Sequence, residues 1–449
     1  MADSHAIAVV GGGWAGCAAA VELARAGHAV TLFEASRVLG GRARRVEIEG
    51  KALDNGQHIM LGAYRSSLDL MRTVGIDLGK VLLRVPMQMR YPANAGGMNF
   101  IAPRLPAPLH MLAALCRATG LAVADKMALA RFSTTARWID WRLHTDCSVS
   151  ELLERFDQTP RLTKLMWRPL CIAALNTPPQ RASAQVFLNV LRDSLGARRA
   201  ASDMLIPRVD LTALLPHHAA AYVARHGGAI RCGISVKQIR RDGSRWQLGL
   251  SASPDASQET TEAQFDRIVV ATQPGQAATL LADLIDTSAM ASLDYEPITT
   301  CYLQYATDLR LPQEFFALID DAEAGIWGQF VFDRGRLDPA HGGLLAVVVS
   351  ASSAAGALGR EALTTAITAQ LAQVFKMPEL ARPLWSRLIS EKRATFACTP
   401  GLKRPLNDTG ITGLALAGDY TAGEYPASLE GAVRSGVLAA RHITNEQVG

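Results

Sequence analysis

Residues Ala6–Glu34 leave this chain few architectures. Ala6–Val10 is a short unbroken apolar run, suited to a parallel strand buried on both faces. Gly11, Gly13 and Gly16 follow as GxGxxG, and the pattern predicts a helix over Ala18–Ala26. Gly27-His28 closes that helix, and Ala29–Phe33 predicts a second strand ending at Glu34. Each residue type has a physical reason. Gly11 permits the tight turn. Gly13 lets backbone approach a pyrophosphate at the positive end of the helix, and Gly16 lets helix and strand pack closely. Glu34 lies 18 residues past Gly16, where a carboxylate can accept bonds from a ribose diol and would repel a 2'-phosphate. GxGxxG alone is common, but strand, helix, strand and terminal acid in this order read as a dinucleotide site.

The remaining composition narrows the function classes. The chain has 449 residues, 46 Lys plus Arg against 41 Asp plus Glu, and a net charge of +5. That length allows a large core and two or three domains. With 49% hydrophobic and 19% charged residues, disorder is excluded, and no basic tract supports nucleic-acid binding. Such a balance fits an enzyme with much buried surface, or one that also touches lipid. The seven cysteines are scattered, with no CxxC and no Cys/His cluster. They predict a reduced, cytoplasmic protein with neither a disulfide framework nor a metal site. The N-terminus enters folded sequence at once, so no signal peptide is expected. The longest charge-free run, Gly342–Gly359, holds three Ser and four Gly and is a poor membrane span.

Two remote segments choose the dinucleotide. Glu34-Ala35-Ser36-Arg37-Val38-Leu39-Gly40-Gly41-Arg42-Ala43 resembles the segment after the ribose acid in the flavin amine oxidase superfamily. By that resemblance Gly40 and Gly41 pass beside the phosphates and Arg42 lies near them. Leu414–Asp419 predicts a strand ending in Gly418-Asp419, and Ser428-Leu429-Glu430-Gly431-Ala432-Val433 opens a helix. This resembles the superfamily's second flavin motif. It implies that Asp419 faces the phosphate and ribityl region, and that backbone at Leu429 and Glu430 faces the pyrimidine side of the ring. Gly227-Gly228 and the strand Val236-Lys237-Gln238-Ile239 resemble the adenine-holding part, with Val236 supplying backbone groups. Asp266–Ala271 then resembles the following strand. Together they imply FAD. Leu344–Ser350, a strand before small residues, lacks GxGxxG and reads as plain sheet, so electrons must be exchanged with an external partner.

Between these segments lie two blocks without nucleotide motifs. The first, Val85–Asp203, begins with a proline-rich loop and turns helical from Leu109. The second, Pro297–Ser390, mixes strands (Thr300–Tyr305, Leu344–Ser350) with a helix, Glu361–Phe375. The expected fold is α/β: a Rossmann-like FAD-binding domain of the glutathione-reductase and amine-oxidase type, interleaved with an α+β substrate domain. The expected boundaries are 1–84, 204–296 and 391–449 for the first, and 85–203 and 297–390 for the second. Leu105–Cys116 carries no charge and sits between Arg104 and Arg117. It reads either as an interfacial helix exposing Leu109, Met111, Leu112 and Leu115, or as an ordinary helix facing the core.

Three motifs resemble one subgroup, the hydroxysqualene dehydroxylases, also described as squalene-associated FAD-dependent desaturases. They are Asp54-Asn55-Gly56-Gln57-His58-Ile59-Met60-Leu61-Gly62-Ala63-Tyr64, Trp167-Arg168-Pro169-Leu170-Cys171-Ile172-Ala173-Ala174-Leu175-Asn176-Thr177-Pro178, and the short Arg393-Ala394-Thr395-Phe396. The resemblance implies a C30 isoprenoid alcohol converted to squalene by reduced FAD, with Gly56 and Gln57 beside the flavin ring. Related amine oxidases carry a lysine on the strand matching Pro297–Leu303 and an aromatic residue at the position of Ser428. Both are missing here, which argues against amine oxidation. Removing a hydroxyl needs a proton donor within hydrogen-bond reach and a dry pocket for the developing cation. His58 and Asp54 flank Gly56 and are the catalytic candidates, each with a plainer reading as a loop-holding residue. Tyr64 and Trp167 read as pocket lining or as core. A C30 lipid is nearly insoluble, which favours the interfacial reading of Leu105–Cys116 and peripheral attachment to the inner face of the membrane. The alternatives are an isoprenoid desaturase or oxidase, and a non-catalytic flavoprotein that carries lipid.

Overall fold

The computed structural model describes residues 4–251 and 261–445. Five parallel strands form one sheet in the order Ala229–Cys232, Ala29–Glu34, Ala6–Val10, Arg267–Val270 and Leu414–Leu416. The first strand lies at the centre, which explains its unbroken apolar run. The helix after it spans Trp14–Arg25, starting four residues earlier than the sequence pattern predicts, with Gly13 as its N-cap. Ten of its twelve residues are buried between the sheet and the C-terminal helix Leu429–Asn445. The two helices touch through backbone: a Cβ on Gly436 would stand 2.1 Å from the Ala15 carbonyl oxygen. A three-stranded antiparallel sheet, Ser235–Asp242, Arg245–Ser251 and Thr261–Phe265, flanks this unit.

A second five-stranded sheet is antiparallel, in the order Phe315–Ala317, Phe330–Asp333, Leu344–Ser350, Tyr295–Gln304 and Trp385–Phe396. All seven residues of Leu344–Ser350 are buried in its middle, and the helix Arg360–Phe375 packs over one face. Tyr295–Gln304 and Trp385–Phe396 run unbroken through 296/297 and 390/391, where the sequence pattern suggests domain boundaries. Helices between Leu109 and Ser194 form the third part. Phe132, Trp167 and Phe187 meet in their core, with ring centroids 4.2 Å and 6.3 Å apart. Trp167 is 1% exposed and donates its Nε1–H to Gln158, so it is a packing residue rather than pocket lining. No helix among the described residues is long and apolar enough to cross a membrane.

Candidate functional site

The glycine turn builds an open donor cradle. Gly11 has φ +111°, and its N–H is taken by Phe33 O. Gly40 N donates to Gly12 O at 2.8 Å, which lays the Gly40-Gly41 segment beside the turn. The nearest atom to a Cβ on Gly13 would be Gly41 Cα, 3.9 Å away, so Gly13 borders open space. The N-terminal helix has no side-chain cap, and its first N–H groups point into that space with the positive end of the helix dipole. Glu34 closes the edge: its carboxylate accepts from Gly12 N and Ser36 N, both at 2.7 Å. Gly233 and Ile234 donate to Ser36 O and Glu34 O, and this brings the strand bearing Val236 to the Glu34 end of the cradle.

Arg42 joins the two halves of the site. It donates to Asp419 Oδ1 at 2.6 Å and to Ala394 O at 2.7 Å. Asp419 is 8% exposed, so this pair is largely desolvated. Asn55 donates to Arg42 O at 3.0 Å, tying the loop 54–58 to the same arginine. A Cβ on Gly56 would meet only Thr300 Oγ1 at 3.6 Å and His58 Cε1 at 3.9 Å. Gln57 Oε1 accepts from Arg334 Nη1 at 2.9 Å, and Arg334 is 2% exposed.

The two catalytic candidates occupy different settings. Asp54 is 2% exposed and accepts from Leu211 N at 2.7 Å, at the start of a short helix. Burial pushes its carboxyl up to about 7, although Arg334 and the Leu211 N–H act the other way. His58 is half-buried, and its Nδ1 lies 2.7 Å from Gly56 O. Burial lowers the imidazole pKa, so the ring is neutral at pH 7, with Nδ1–H donating to that carbonyl. Its Nε2 is then a free acceptor that must gain a proton before it can donate one.

At the C-terminal helix, Leu429 and Glu430 have no preceding turn to occupy their N–H groups, and no protein acceptor meets them among the described residues. The Glu430 side chain, 0% exposed, serves elsewhere: it accepts from Ser66 N, Ser67 N, Ser67 Oγ and Arg434 Nε. It therefore caps the helix Arg65–Thr73 from outside. Only its backbone is available to a ligand. The motif Trp167–Pro178 acts as a clasp: Arg168 makes a paired bridge to Asp320 at 2.5 and 2.7 Å. Asn176 donates to Glu296 O and Thr395 Oγ1 and accepts from Ala351 N.

A Rossmann-like parallel sheet with a glycine cradle, an acid at the end of its second strand and a second helix start across the site is the arrangement of a dinucleotide-dependent oxidoreductase. Residues 14–444 match the flavin-containing amine oxidoreductases, and the chain belongs to that family. It is 29% identical to a hydroxysqualene dehydroxylase of Rhodopseudomonas palustris, across 97% of this chain and 98% of that one. It is 26% identical to a zeta-carotene desaturase of Synechocystis, across 98% and 97%. Among solved structures, a putative protoporphyrinogen oxidase from Exiguobacterium has 18% identity and a TM-score of 0.69 over the full length of both chains. An oxidoreductase from Methanosarcina mazei reaches a TM-score of 0.74 at 14% identity, covering 97% of this chain and all of that one. The chain is an FAD-dependent oxidoreductase with this fold.

The residues fit FAD on structural grounds as well. The buried hydroxyls of Thr272, Thr300 and Tyr420 have no hydrogen-bond partner among the described residues, and buried polar groups are rarely left so. Thr272 adjoins Gly11 and Thr300 faces Gly56, so two of these hydroxyls border the glycine segments of the site. Sequence reasoning missed Arg334, Thr300 and Thr272. Thr300 sits on the strand where amine-oxidising relatives carry a lysine, and Arg334 lies in a block with no motif. Glu34→Ala is expected to weaken FAD binding by ~1–3 kcal/mol, the usual worth of hydrogen bonds to a charged group. Fluorescence titration of apoprotein checks this, and unchanged affinity removes Glu34 from the site.

Proposed function

We propose that this enzyme reductively dehydroxylates hydroxysqualene to squalene. The alcohol and reduced FAD give hydrocarbon, water and oxidised FAD. Reduced FAD, replenished by an external donor, supplies the hydride. The chain binds the lipid, excludes water and delivers the proton that turns hydroxide into water. His58 carries that proton at Nε2, and Asp54, whose carboxyl holds the Leu211 helix start, positions the loop beside it; Asp54 as the proton donor is the alternative. The cofactor contacts of Gly11, Gly13, Gly16, Glu34, Gly41, Arg42, Gly56, Gln57, Val236, Asp419, Leu429 and Glu430 belong to this proposal, as does the two-domain division.

One observation carries the reading. Amine-oxidising relatives of this fold carry a lysine on the strand matching Pro297–Leu303; here that strand holds Thr300, buried beside Gly56 with a hydroxyl that meets no partner among the described residues. That strand has no lysine, and the dehydroxylases among the relatives supply the substrate class. The similarity to zeta-carotene desaturases favours a second reading, in which oxidised FAD takes hydride from an isoprenoid. Anaerobic reduction followed by hydroxysqualene separates them. Flavin reoxidation with one squalene formed per flavin supports dehydroxylation. Flavin bleaching when oxidised enzyme meets an isoprenoid supports desaturation, and no spectral change with either sinks both.

A further inference from the structure

Ten large hydrophobic side chains are exposed among the described residues, and six of them fall between 105 and 138: Leu105, Leu109, Leu112, Val123, Met127 and Trp138. The helices Leu109–Arg117 and Val123–Trp138 pack together, and Lys126 Nζ donates to Cys116 O across the turn between them. Leu109, Leu112 and Cys116 follow one face of the first helix at spacings of three and four, and all are exposed. Val123, Met127, Arg131, Thr134 and Trp138 follow one face of the second, again all exposed. Met111 and Leu115, expected at the surface, instead pack partly buried against the core.

The charge along these two helices is mostly basic, with exposed Asp140 just beyond the second. Positions 104–138 contain five basic residues and a single acid, Asp125. Asp125 is 4% exposed and fully engaged, accepting from Ala122 N and Thr159 Oγ1. Arg104, Arg117, Arg131 and Arg137 are exposed. Apolar side chains at helical spacing, a basic rim and an exposed tryptophan suit the boundary between headgroups and acyl chains.

We infer that the outer face of these two helices docks on an anionic phospholipid bilayer. This deepens the lipid-substrate reading by naming where the enzyme meets the phase that holds such a substrate, but it stands on exposed residues and charge alone. The first helix supplies half of the face and the second helix the other half, including the tryptophan.

The test uses FAD-loaded enzyme and sedimentation with vesicles of phosphatidylcholine, with and without phosphatidylglycerol. Wild type is expected to bind the anionic vesicles at least ten-fold better than the neutral ones. Val123→Asp with Met127→Asp should lower that binding at least ten-fold, with the flavin spectrum unchanged. Arg117→Glu with Arg131→Glu should remove the preference for anionic lipid. Leu384→Asp with Leu406→Asp, exposed elsewhere, should bind as wild type does. Where a variant fails to fold, quenching by brominated lipid decides: the wild-type quenching should fall on Trp138→Phe. Equal binding by wild type and the 123/127 variant, or no loss of quenching, overturns the proposal. So does a wild type that ignores vesicles but forms a dimer dispersed by the 123/127 change, which would make this a face for a second copy. Turnover is not part of the readout, so a wrong substrate leaves this result intact.

Discussion

A Gly16→Ala enzyme is expected to purify without flavin. A Cβ at that position would stand 1.8 Å from Gly11 O and 3.2 Å from Ala271 Cβ. The obstructing atom is backbone in the turn itself, so no side chain can swing aside. The helix must lift from the central strand, and with it the N–H groups that border the cradle. Overpacking of this sort costs ~1–3 kcal/mol and occasionally more, and the displaced donors add to the loss at the cofactor. FAD affinity should fall by ~100-fold or more, which corresponds to about 2.7 kcal/mol. The ratio of flavin to protein absorbance and a titration of apoprotein measure it. Gly356→Ala is the control, because a Cβ there meets nothing within 4 Å. Full flavin occupancy in Gly16→Ala would falsify the close packing on which the cradle depends.

The second large effect concerns His58. Its imidazole is neutral at pH 7 because burial lowers its pKa, so the protonated donor grows as pH falls through a value below 6.5. The single-turnover rate should therefore rise toward acid and level off below that value. His58→Ala should keep flavin and lose ~100-fold in rate, the lower range for a missing acid, together with the acidic limb. Asp54 makes a different forecast. Its carboxyl sits at about 7, so an acid role would put the fall in rate near pH 7 and leave the rate flat below. Asp54→Asn keeps an oxygen for the Leu211 N–H and should shift the profile little. A wild-type profile that breaks near 7 and disappears in Asp54→Asn returns the proton step to Asp54.

The parts of the fold that could be read in sequence are those where one force dominates. Ala6–Val10 and Leu344–Ser350 are buried on both faces, and their strands end where the apolar runs do. The first helix was harder: Trp14-Ala15-Gly16-Cys17 has poor intrinsic propensity, yet Gly13 caps it and packing on the C-terminal helix holds it. The strand expected at Thr300–Tyr305 begins at Tyr295, because Pro297 lies where the pairing with Trp385–Phe396 shifts register. A bulge tolerates a proline that a regular ladder would not. The choice of FAD was legible because the segments that carry it are local in sequence. Arg334 was not, since its importance comes from Gln57, 277 positions away. Glu430 was legible as a motif residue, but its side chain's task, capping Arg65–Thr73, depends on a contact across 364 positions.

The Arg42–Asp419 pair spans 377 positions, and the sheet beside it takes its last strand from Leu414–Leu416. This order has a consequence during synthesis. A ribosome adding ~5–20 residues per second makes the Asp419 segment roughly 20–80 s after the glycine turn. Throughout that interval the nascent chain holds Arg42 without its carboxylate, and one edge of the central sheet without its neighbour. The Arg42–Asp419 link between the two halves of the site therefore forms only after residue 419 has been made. Until Leu414–Leu416 is made, the buried strand Arg267–Val270 keeps one hydrogen-bonding edge without its neighbour.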